Sequence, residues 1–318
     1  MDGMRDPEIS SWFRRRTRRE PFSDAPTLAR LKRSAGVFVT VCLPALDEAA
    51  TVGIICERIA SKLGRGGLVD ELVMIDSGSS DGTPEIARAA GATVHQASDI
   101  LPRFGPSLGK GDALWRSLAV TSGDIIVWLD SDVRNFTLDF VTSLLAPLLE
   151  DQAILFAKPF YDRPLSRGDS VESTGGARVT ELVARPLLNL LFPRLMGFIQ
   201  PLSGEYAVRR SAVTELPFFT GYAVDAGLLI DAVERYGLDA FVQVDLGTRV
   251  HRNQDVFALG RMSYEILHAI LRRADDLGRV KLAEEPGRQL LQFLPGEDGP
   301  HPHIFQASVV ERPPMSTV

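Results

Sequence analysis

An apolar run that ends in two carboxylates is the most constraining feature of this sequence. The run Asp124-Ile125-Ile126-Val127-Trp128-Leu129 is followed directly by Asp130-Ser131-Asp132. An unbroken apolar segment is typical of a strand covered on both faces of a sheet, and ligands of open α/β sheets bind beyond the carboxyl ends of the strands. Carboxylates there suit a hard cation such as Mg²⁺ together with a diphosphate, so a sugar nucleotide is the best candidate ligand. A solvated turn or a helix cap is the alternative explanation of an Asp-x-Asp motif alone.

Strand and helix patterns alternate through the first half of the chain, which predicts a Rossmann-like, mostly parallel α/β sheet flanked by helices. We expect four parallel strands before residue 135, the last of them ending at Asp130. The bounds of these and the later predicted elements are as follows. The expected strands lie at 37–43, 71–76, 93–95, 154–158, 204–208 and 240–244, and the later helices at 178–191, 225–236 and 256–273.

Composition bounds the class of protein. The 318 residues are 45% hydrophobic and 24% charged with a net charge of −6, which is ordinary for a globular protein and indicates no nucleic-acid partner. The N-terminus lacks the apolar core of a signal peptide, and no stretch of about 18 apolar residues predicts a membrane span. The two cysteines, Cys42 and Cys56, fit a reducing cytoplasm.

The chain divides into four predicted parts. Residues 1–35 are expected to form a mobile arm, in which the basic run 14–19 is solvated or contacts an anionic membrane or another subunit. Residues 36–135 would bind the nucleotide sugar, and the family resemblance given below implies that residues 136–283 would bind the acceptor of the sugar and the metal. The tail at 284–318 would strap across the surface or pack on a second subunit, and a homodimer is expected.

Two more polar segments close the earlier strands. Pro44-Ala45-Leu46-Asp47-Glu48 ends the first strand, and Asp47 or Glu48 could accept hydrogen bonds from a nucleobase, although Asp47 could simply cap the helix. Asp76-Ser77 ends the second strand, where Asp76 or Ser77 could contact a ribose or the edge of a base, and an Asx-type turn is the alternative. Gly109-Lys110-Gly111 puts a lysine between two glycines at a helix start, which suits a phosphate.

These motifs carry a family resemblance. The segments at 44–48, 76–83, 109–111 and 130–132 resemble the nucleotide-sugar half of a glycosyltransferase of the A fold. The second half is similar to the actinobacterial 3-phosphoglycerate glycosyltransferases (glycosyltransferase family 81), which comprise glucosyl- and mannosyl-3-phosphoglycerate synthases, and the mannosyl members are favoured. The segments that carry this second resemblance are 175–188, 200–207, 227–231, 251–253, 292–295 and 311–315.

The resemblance implies roles for individual residues. Asp130, Asp132, Lys110 and Asp225 would be the catalytic group, and Asp132 with His251 would bind Mg²⁺, Mn²⁺ or Co²⁺. The implied nucleotide-sugar contacts are Pro44, Ala45, Leu46, Glu48, Ser77, Lys110, Asp130, Leu202 and Asp225. The implied contacts of 3-phosphoglycerate are Arg178, Val179, Thr180, Tyr222 and Asn253.

The residue types agree with these roles. Arg178 follows Gly175-Gly176 and suits an acceptor that carries a phosphate and a carboxylate, whereas Arg185 is expected to make a structural ion pair. A lone histidine such as His251 is often a plain polar contact, but imidazole is also a common metal ligand.

Asp225 departs from the family pattern, because most glucosyl-transferring relatives have glutamate there. A shorter carboxylate could change which sugar epimer is bound, since one lost hydrogen bond costs about 1–3 kcal/mol. The resulting prediction is a retaining, metal-dependent transfer of a hexose, favouring mannose from GDP-mannose over glucose from GDP- or UDP-glucose, to the 2-hydroxyl of 3-phosphoglycerate for glycosylglycerate synthesis. A non-catalytic nucleotide-binding protein and a polyprenyl-phosphate sugar transferase are the alternatives.

Overall fold

A computed structural model describes residues 6–22, 24–162, 165–167, 170–172, 177–250 and 254–318. Its α-helices are α1 (Pro7–Arg16), α2 (Ala25–Ala35), α3 (Val52–Arg58), α4 (Thr83–Ala89), α5 (Gly109–Val120), α6 (Asp139–Glu150), α7 (Arg185–Leu191), α8 (Arg210–Val213), α9 (Ala223–Tyr236) and α10 (Val256–Asp276). Its first strands are β1 (Thr17–Arg18), β2 (Val39–Ala45), β3 (Glu71–Asp76), β4 (Thr93–Gln96), β5 (Ile125–Trp128), β6 (Phe156–Asp162), β7 (Leu165–Arg167) and β8 (Ser170–Glu172). The later strands are β9 (Tyr206–Arg209), β10 (Phe218–Phe219), β11 (Phe241–Thr248), β12 (Gln289–Leu294), β13 (His301–Gln306) and β14 (Glu311–Arg312).

The central sheet is mostly parallel, as predicted. Eight strands of the described residues form it in the order β1-β11-β6-β9-β5-β2-β3-β4. The four strands predicted before residue 135 correspond to β2, β3, β4 and β5 and are mutually parallel, whereas β9 runs antiparallel to its neighbours β5 and β6. The parallel pairs direct the carboxyl ends of β2, β3 and β5 to one edge, where the predicted polar segments follow.

Two apolar layers cover the two faces of this sheet. Helices α2, α3 and α6 pack on one face, against the side chains of Val41 and Val127. Helices α5, α9 and α10 contribute to the layer on the opposite face, with Trp128 from β5. Because residues of one strand alternate between the faces, β5 is apolar at every position. This burial explains the unbroken run that precedes Asp130.

The expectation of a mobile arm was wrong for the described residues of the N-terminal segment. Trp12 of α1 is fully buried, and its indole N–H donates to the Phe241 carbonyl at 3.2 Å. Strand β1 extends the sheet beside β11. Arginines of the basic run pair with acidic side chains, among them Arg16 with Asp151 at 3.2 Å. Sequence patterns missed this docking because the arm holds few apolar residues.

The tail straps across the surface, which was one of the two predicted alternatives. Strands β12 and β13 form an antiparallel hairpin next to α10, and β14 pairs with β10. The described part of the chain contains no helix long and apolar enough to cross a membrane.

Candidate active site

A cleft of about 630 Å³ lies at the carboxyl edge of β2, β3 and β5. Its walls combine these strand ends with the starts of α5 and α9, one side of α10 and part of the C-terminal tail. Most of the residues predicted as site residues line it. Those among the described residues are Pro44, Ala45, Leu46, Glu48, Ser77, Lys110, Asp130, Asp132, Arg178, Val179, Thr180, Leu202, Tyr222 and Asp225.

The middle residue of the Asp-x-Asp motif fixes its backbone. Ser131 is 4% exposed, and its hydroxyl donates to the Pro44 carbonyl at 2.8 Å. The Thr51 hydroxyl in turn donates to the Ser131 carbonyl at 2.6 Å. These bonds tie the end of β5 to the end of β2 and direct Asp130 and Asp132 into the cleft.

Lys110 is held against Asp130 by a short ion pair and by the negative charges around it. Its ammonium lies 2.5 Å from Asp130 Oδ1 and 3.9 Å from Asp225 Oδ2. Burial lowers the pKa of Lys110, but the charges of Asp130, Asp225 and Glu205 outweigh it and raise that pKa above its ordinary value, so the side chain stays cationic. The cluster therefore presents a fixed positive charge beside two carboxylates.

The flanking glycines allow another backbone segment to pack closely against this turn. The Gly111 N–H donates to the Gly221 carbonyl at 3.1 Å, and a Cβ at position 111 would overlap the Phe219 carbonyl. Gly109 has a φ of +71°, which favours glycine. The Gly221 N–H donates to the Leu108 carbonyl at 2.8 Å. The glycines thus let the chain at 219–221 clamp the turn that carries Lys110.

Asp225 faces the cleft beside this cluster. The residue is 7% exposed, and its Oδ1 has no hydrogen-bond partner among the described residues. Burial raises the pKa of Asp225, and the nearby Lys110 and Lys158 partly oppose that rise. A buried oxygen that no described residue bonds is suited to accept a hydrogen bond from a hydroxyl of a ligand in the cleft.

Arg249 is a site residue that the sequence patterns missed. Its Nη2 lies 2.8 Å from both Asp130 Oδ2 and Asp132 Oδ1, and its Nε lies 3.0 Å from the Glu205 carboxylate. Burial lowers the pKa of Arg249, but Glu205, Tyr161 and the two aspartates raise it well above its ordinary value. One arginine therefore contacts both carboxylates of the Asp-x-Asp motif. Its only sequence signal is its position two residues before His251.

Two predicted nucleobase contacts instead build the rim of the cleft. Asp47 has a φ of +55°, and its carboxylate accepts from the Ser80 N–H at 2.8 Å, so it neither caps α3 nor faces the cleft. The Asp76 carboxylate accepts from the N–H groups of Gly78 and Ser79, which is the predicted Asx-type turn. Glu48 and Ser77 remain on the cleft wall.

Arg178 dominates the opposite side of the cleft. Its Nη2 donates to the Gln254 carbonyl at 3.0 Å, while its buried Nε has no partner among the described residues. It lies just before a π-helical segment at Thr180–Ala184, a geometry frequent at functional sites. Arg185 pairs with Glu181 at 2.8 Å, as predicted for a structural ion pair.

Two further predictions, the metal ligand His251 and the acceptor contact Asn253, lie outside the described residues. Within the described ranges, no group of three His, Cys, Asp or Glu side chains is arranged to hold a metal ion. The carboxylates of Asp130 and Asp132 are nevertheless the oxygen donors that Mg²⁺ or Mn²⁺ prefers, and a diphosphate would supply further oxygens. These carboxylate oxygens are therefore suitable ligands for a divalent cation.

This fold and site define a glycosyltransferase. A family model described as "Glycosyl transferase family 2" matches residues 40–200, which contain the donor-side motifs. Glucosyl-3-phosphoglycerate synthase from Petrotoga mobilis is 42% identical over 93% of this chain and 92% of its own.

Solved structures agree with that similarity. Mannosyl-3-phosphoglycerate synthase from Rubrobacter xylanophilus matches with a TM-score of 0.87 and 38% identity, covering 97% of this chain and 99% of that one. Glucosyl-3-phosphoglycerate synthase from Mycobacterium tuberculosis, in complex with Mn²⁺, UDP-glucose and phosphoglyceric acid, matches with a TM-score of 0.82 and 44% identity over 95% and 98%. The chain belongs to the family of glucosyl- and mannosyl-3-phosphoglycerate synthases.

Proposed function

We propose that this protein transfers a hexose from a nucleoside-diphosphate sugar to the 2-hydroxyl of 3-phosphoglycerate, with retention at the anomeric carbon. The observation that carries the proposal is one cleft that contains Asp130, Asp132 and Lys110 on one side and Arg178 on the other. The first group suits a metal-bound diphosphate, and the arginine suits an acceptor with a phosphate and a carboxylate. The printed names of the similar enzymes support the same pair of substrates.

A divalent cation would be held by Asp132 and His251, with the diphosphate completing its shell. When bound, it neutralises charge on the leaving diphosphate. Complexes of the M. tuberculosis enzyme contain Mn²⁺ or Mg²⁺ with UDP, which supports this cofactor choice. Lys110 adds a second fixed positive charge where the leaving group departs.

The acceptor would be oriented by the other wall. Arg178, whose Nε has no partner among the described residues, would bind an anion of the acceptor, and Thr180 and Tyr222 also line the cleft. Val179 and Asn253 complete the proposed acceptor contacts, while Leu202 and Asp225 would lie by the donor sugar. Fixing both substrates in this way contributes orientation, which is a large part of the barrier in group transfer. We propose front-face attack assisted by the leaving phosphate as the route to retention.

The donor sugar is the finer part of the proposal. The shorter carboxylate of Asp225 and the similarity to the R. xylanophilus mannosyl enzyme support mannose from GDP-mannose. Relatives named as glucosyl enzymes, at 42–47% identity, support a glucose donor. We therefore propose mannose as the preferred sugar and Asp225 as the position that selects it.

A homodimer is also proposed. The hairpin β12–β13 exposes Leu291, Phe293 and Ile304, and Leu291 and Ile304 are direct cross-strand partners. An apolar face of this kind is suited to pack against a second copy. Sedimentation velocity should give a dimer for the wild-type chain and a monomer for Phe293→Asp.

A cytoplasmic location stays a prediction from the cysteine usage.

The deciding experiment is discontinuous transfer to 3-phosphoglycerate with Mg²⁺, comparing GDP-mannose, GDP-glucose and UDP-glucose. Fastest turnover with GDP-mannose supports the full proposal, and turnover with glucose donors alone overturns the sugar choice but keeps the reaction. Asp132→Ala should abolish transfer, whereas Asp99→Ala, outside the cleft, should not. Nucleotide binding without transfer from any donor would instead indicate a non-catalytic nucleotide-binding protein, and transfer only to a polyprenyl phosphate would indicate the other alternative.

A further inference from the structure

The C-terminal strap, defined here as residues 305–314, reaches the turn that carries Lys110 through a buried ion pair. Arg312 contacts the two oxygens of Asp112 at 2.8 and 3.0 Å, and its Nη1 donates to the Phe104 carbonyl at 2.7 Å. Asp112 is fully buried and Arg312 is 5% exposed. Two parallel N–H donors on one carboxylate fix direction as well as distance.

Asp112 passes this restraint to the start of α5. Its Oδ2 also accepts from the Leu108 N–H at 3.0 Å and from Arg116 Nε at 3.2 Å. The Leu108 N–H precedes Lys110 by two residues, and α5 has no side chain at its N-cap to hold it. Asp112 therefore serves as the cap of this helix from inside its own first turn. The two-pronged contact from Arg312 fixes the orientation of that carboxylate.

The strap also holds the second clamp on the same turn. The Thr220 N–H donates to the Val310 carbonyl at 2.9 Å, and the Thr220 hydroxyl donates to the Ser308 carbonyl at 2.8 Å. The neighbouring Gly221 bonds both Leu108 and Gly111 through its backbone. The strap thus reaches the Lys110 turn by two routes, one through Asp112 and one through the chain at 219–221.

We propose that the C-terminal strap is a positioning element of the donor site, with Arg312 as the positioning residue that sets where Lys110 stands against Asp130. The strap also contributes Phe305, Gln306 and Ser308 to the cleft wall. A segment some 200 residues away in sequence thereby becomes part of the catalytic arrangement. The inference about turnover rests on the proposed function, whereas the inference about the geometry of the turn does not.

The test compares Arg312→Met with a matched arginine at the other end of the same helix. Arg210 donates to the carbonyls of Gly123 and Leu118 and to the Thr121 hydroxyl, so Arg210→Met weakens the C-terminal end of α5 without touching the Lys110 turn. Arg312→Lys keeps the charge but loses the two-pronged contact. Both readouts, kcat with a saturating nucleotide sugar and hydrogen exchange of a peptide spanning 105–113, are measured on the full chain.

We expect Arg312→Met to lower kcat at least tenfold relative to Arg210→Met and to speed exchange in the 105–113 peptide at least tenfold. Arg312→Lys should lie between Arg312→Met and the wild type. Equal kcat values for Arg312→Met and Arg210→Met, within threefold, would overturn the proposal, and so would unchanged exchange at 105–113. If Arg312→Met does not fold, Arg312→Lys is judged by the same two criteria with a threefold threshold. Failure of the wild type to transfer any hexose would refute the proposed function, while the exchange comparison would still decide the positioning role.

Discussion

Replacing Gly204 with alanine should displace Lys110 without unfolding the protein. An added Cβ would stand 1.9 Å from Lys110 Nζ and 3.1 Å from the nearest Asp130 oxygen. Reaching an ordinary contact distance of 3.4 Å requires the ammonium to withdraw by about 1.5 Å. The 2.5 Å contact between Lys110 and Asp130 is then lost. Because the ammonium is the far end of a flexible side chain, the backbone need not move.

Gly204→Ala is therefore expected to lower the turnover rate more than the free energy of unfolding. A hydrogen bond between charged groups contributes about 1.5–3 kcal/mol, which is the upper limit for the loss in unfolding free energy. A misplacement of about 1 Å in a group that acts on the reacting atoms lowers turnover roughly 100-fold. Gly64→Ala is the matched control, since its nearest new contact would be 3.8 Å away.

Steady-state kinetics with a saturating acceptor measure the effect, and urea unfolding measures the stability. In the Lys110→Met background, Gly204→Ala should lower kcat/KM by a further factor of less than three, because the ammonium that it displaces is already absent. Wild-type kcat/KM in Gly204→Ala, or an equal loss in both backgrounds, would refute the argument that Gly204 acts through Lys110.

Three further predictions concern other parts of the structure. Arg249→Met should lower the free energy of unfolding by about 3–5 kcal/mol, because it leaves buried Glu205 without its cation, and adding Glu205→Gln should recover part of that loss in urea unfolding. Burial raises the pKa of the Glu265 carboxyl above its ordinary value of 4.5, and the hydrogen bond from the Tyr222 N–H partly opposes this rise. The stability that Glu265 contributes is therefore complete below pH 4.5 and is lost as the pH rises through the raised pKa. Urea unfolding of Glu265→Gln should lack that decline, and a parallel pH profile of the two proteins would contradict the assignment. Trp12→Ala should cost about 3–5 kcal/mol by the same measurement, whereas a loss under 1 kcal/mol would mean that α1 is not docked in solution.

The clustering of Asp130, Asp132 and Lys110 in one cleft was predictable from sequence because the signals are local. Asp130 and Asp132 directly follow an apolar strand, and Lys110 stands at a helix start between glycines. Each of these residues is placed by neighbours within a few positions. Parallel strands then bring the separate signals to one edge without any long-range information.

Arg249 and Arg312 could not be found in this way. Each contacts a carboxylate more than 100 residues away in sequence, and the residues beside either arginine do not indicate that partner. The same holds for Trp12, whose burial depends on contact with Phe241. Helix α6 was missed for a different reason, since it is buried at nearly every position and contains Pro147, so it shows neither a polar face nor an uninterrupted helical pattern.

The antiparallel strand β9 limits how this molecule can be divided. It lies between β5, which precedes residue 135, and β6, which follows it, with hydrogen bonds to both. A fragment ending near residue 135 would leave the edge of β5 unpaired and its apolar side chains uncovered, which favours aggregation over independent folding. The two halves therefore share one sheet, with no hinge through its middle. Movements that admit substrates and release products must come from the loops at the sheet's carboxyl edge.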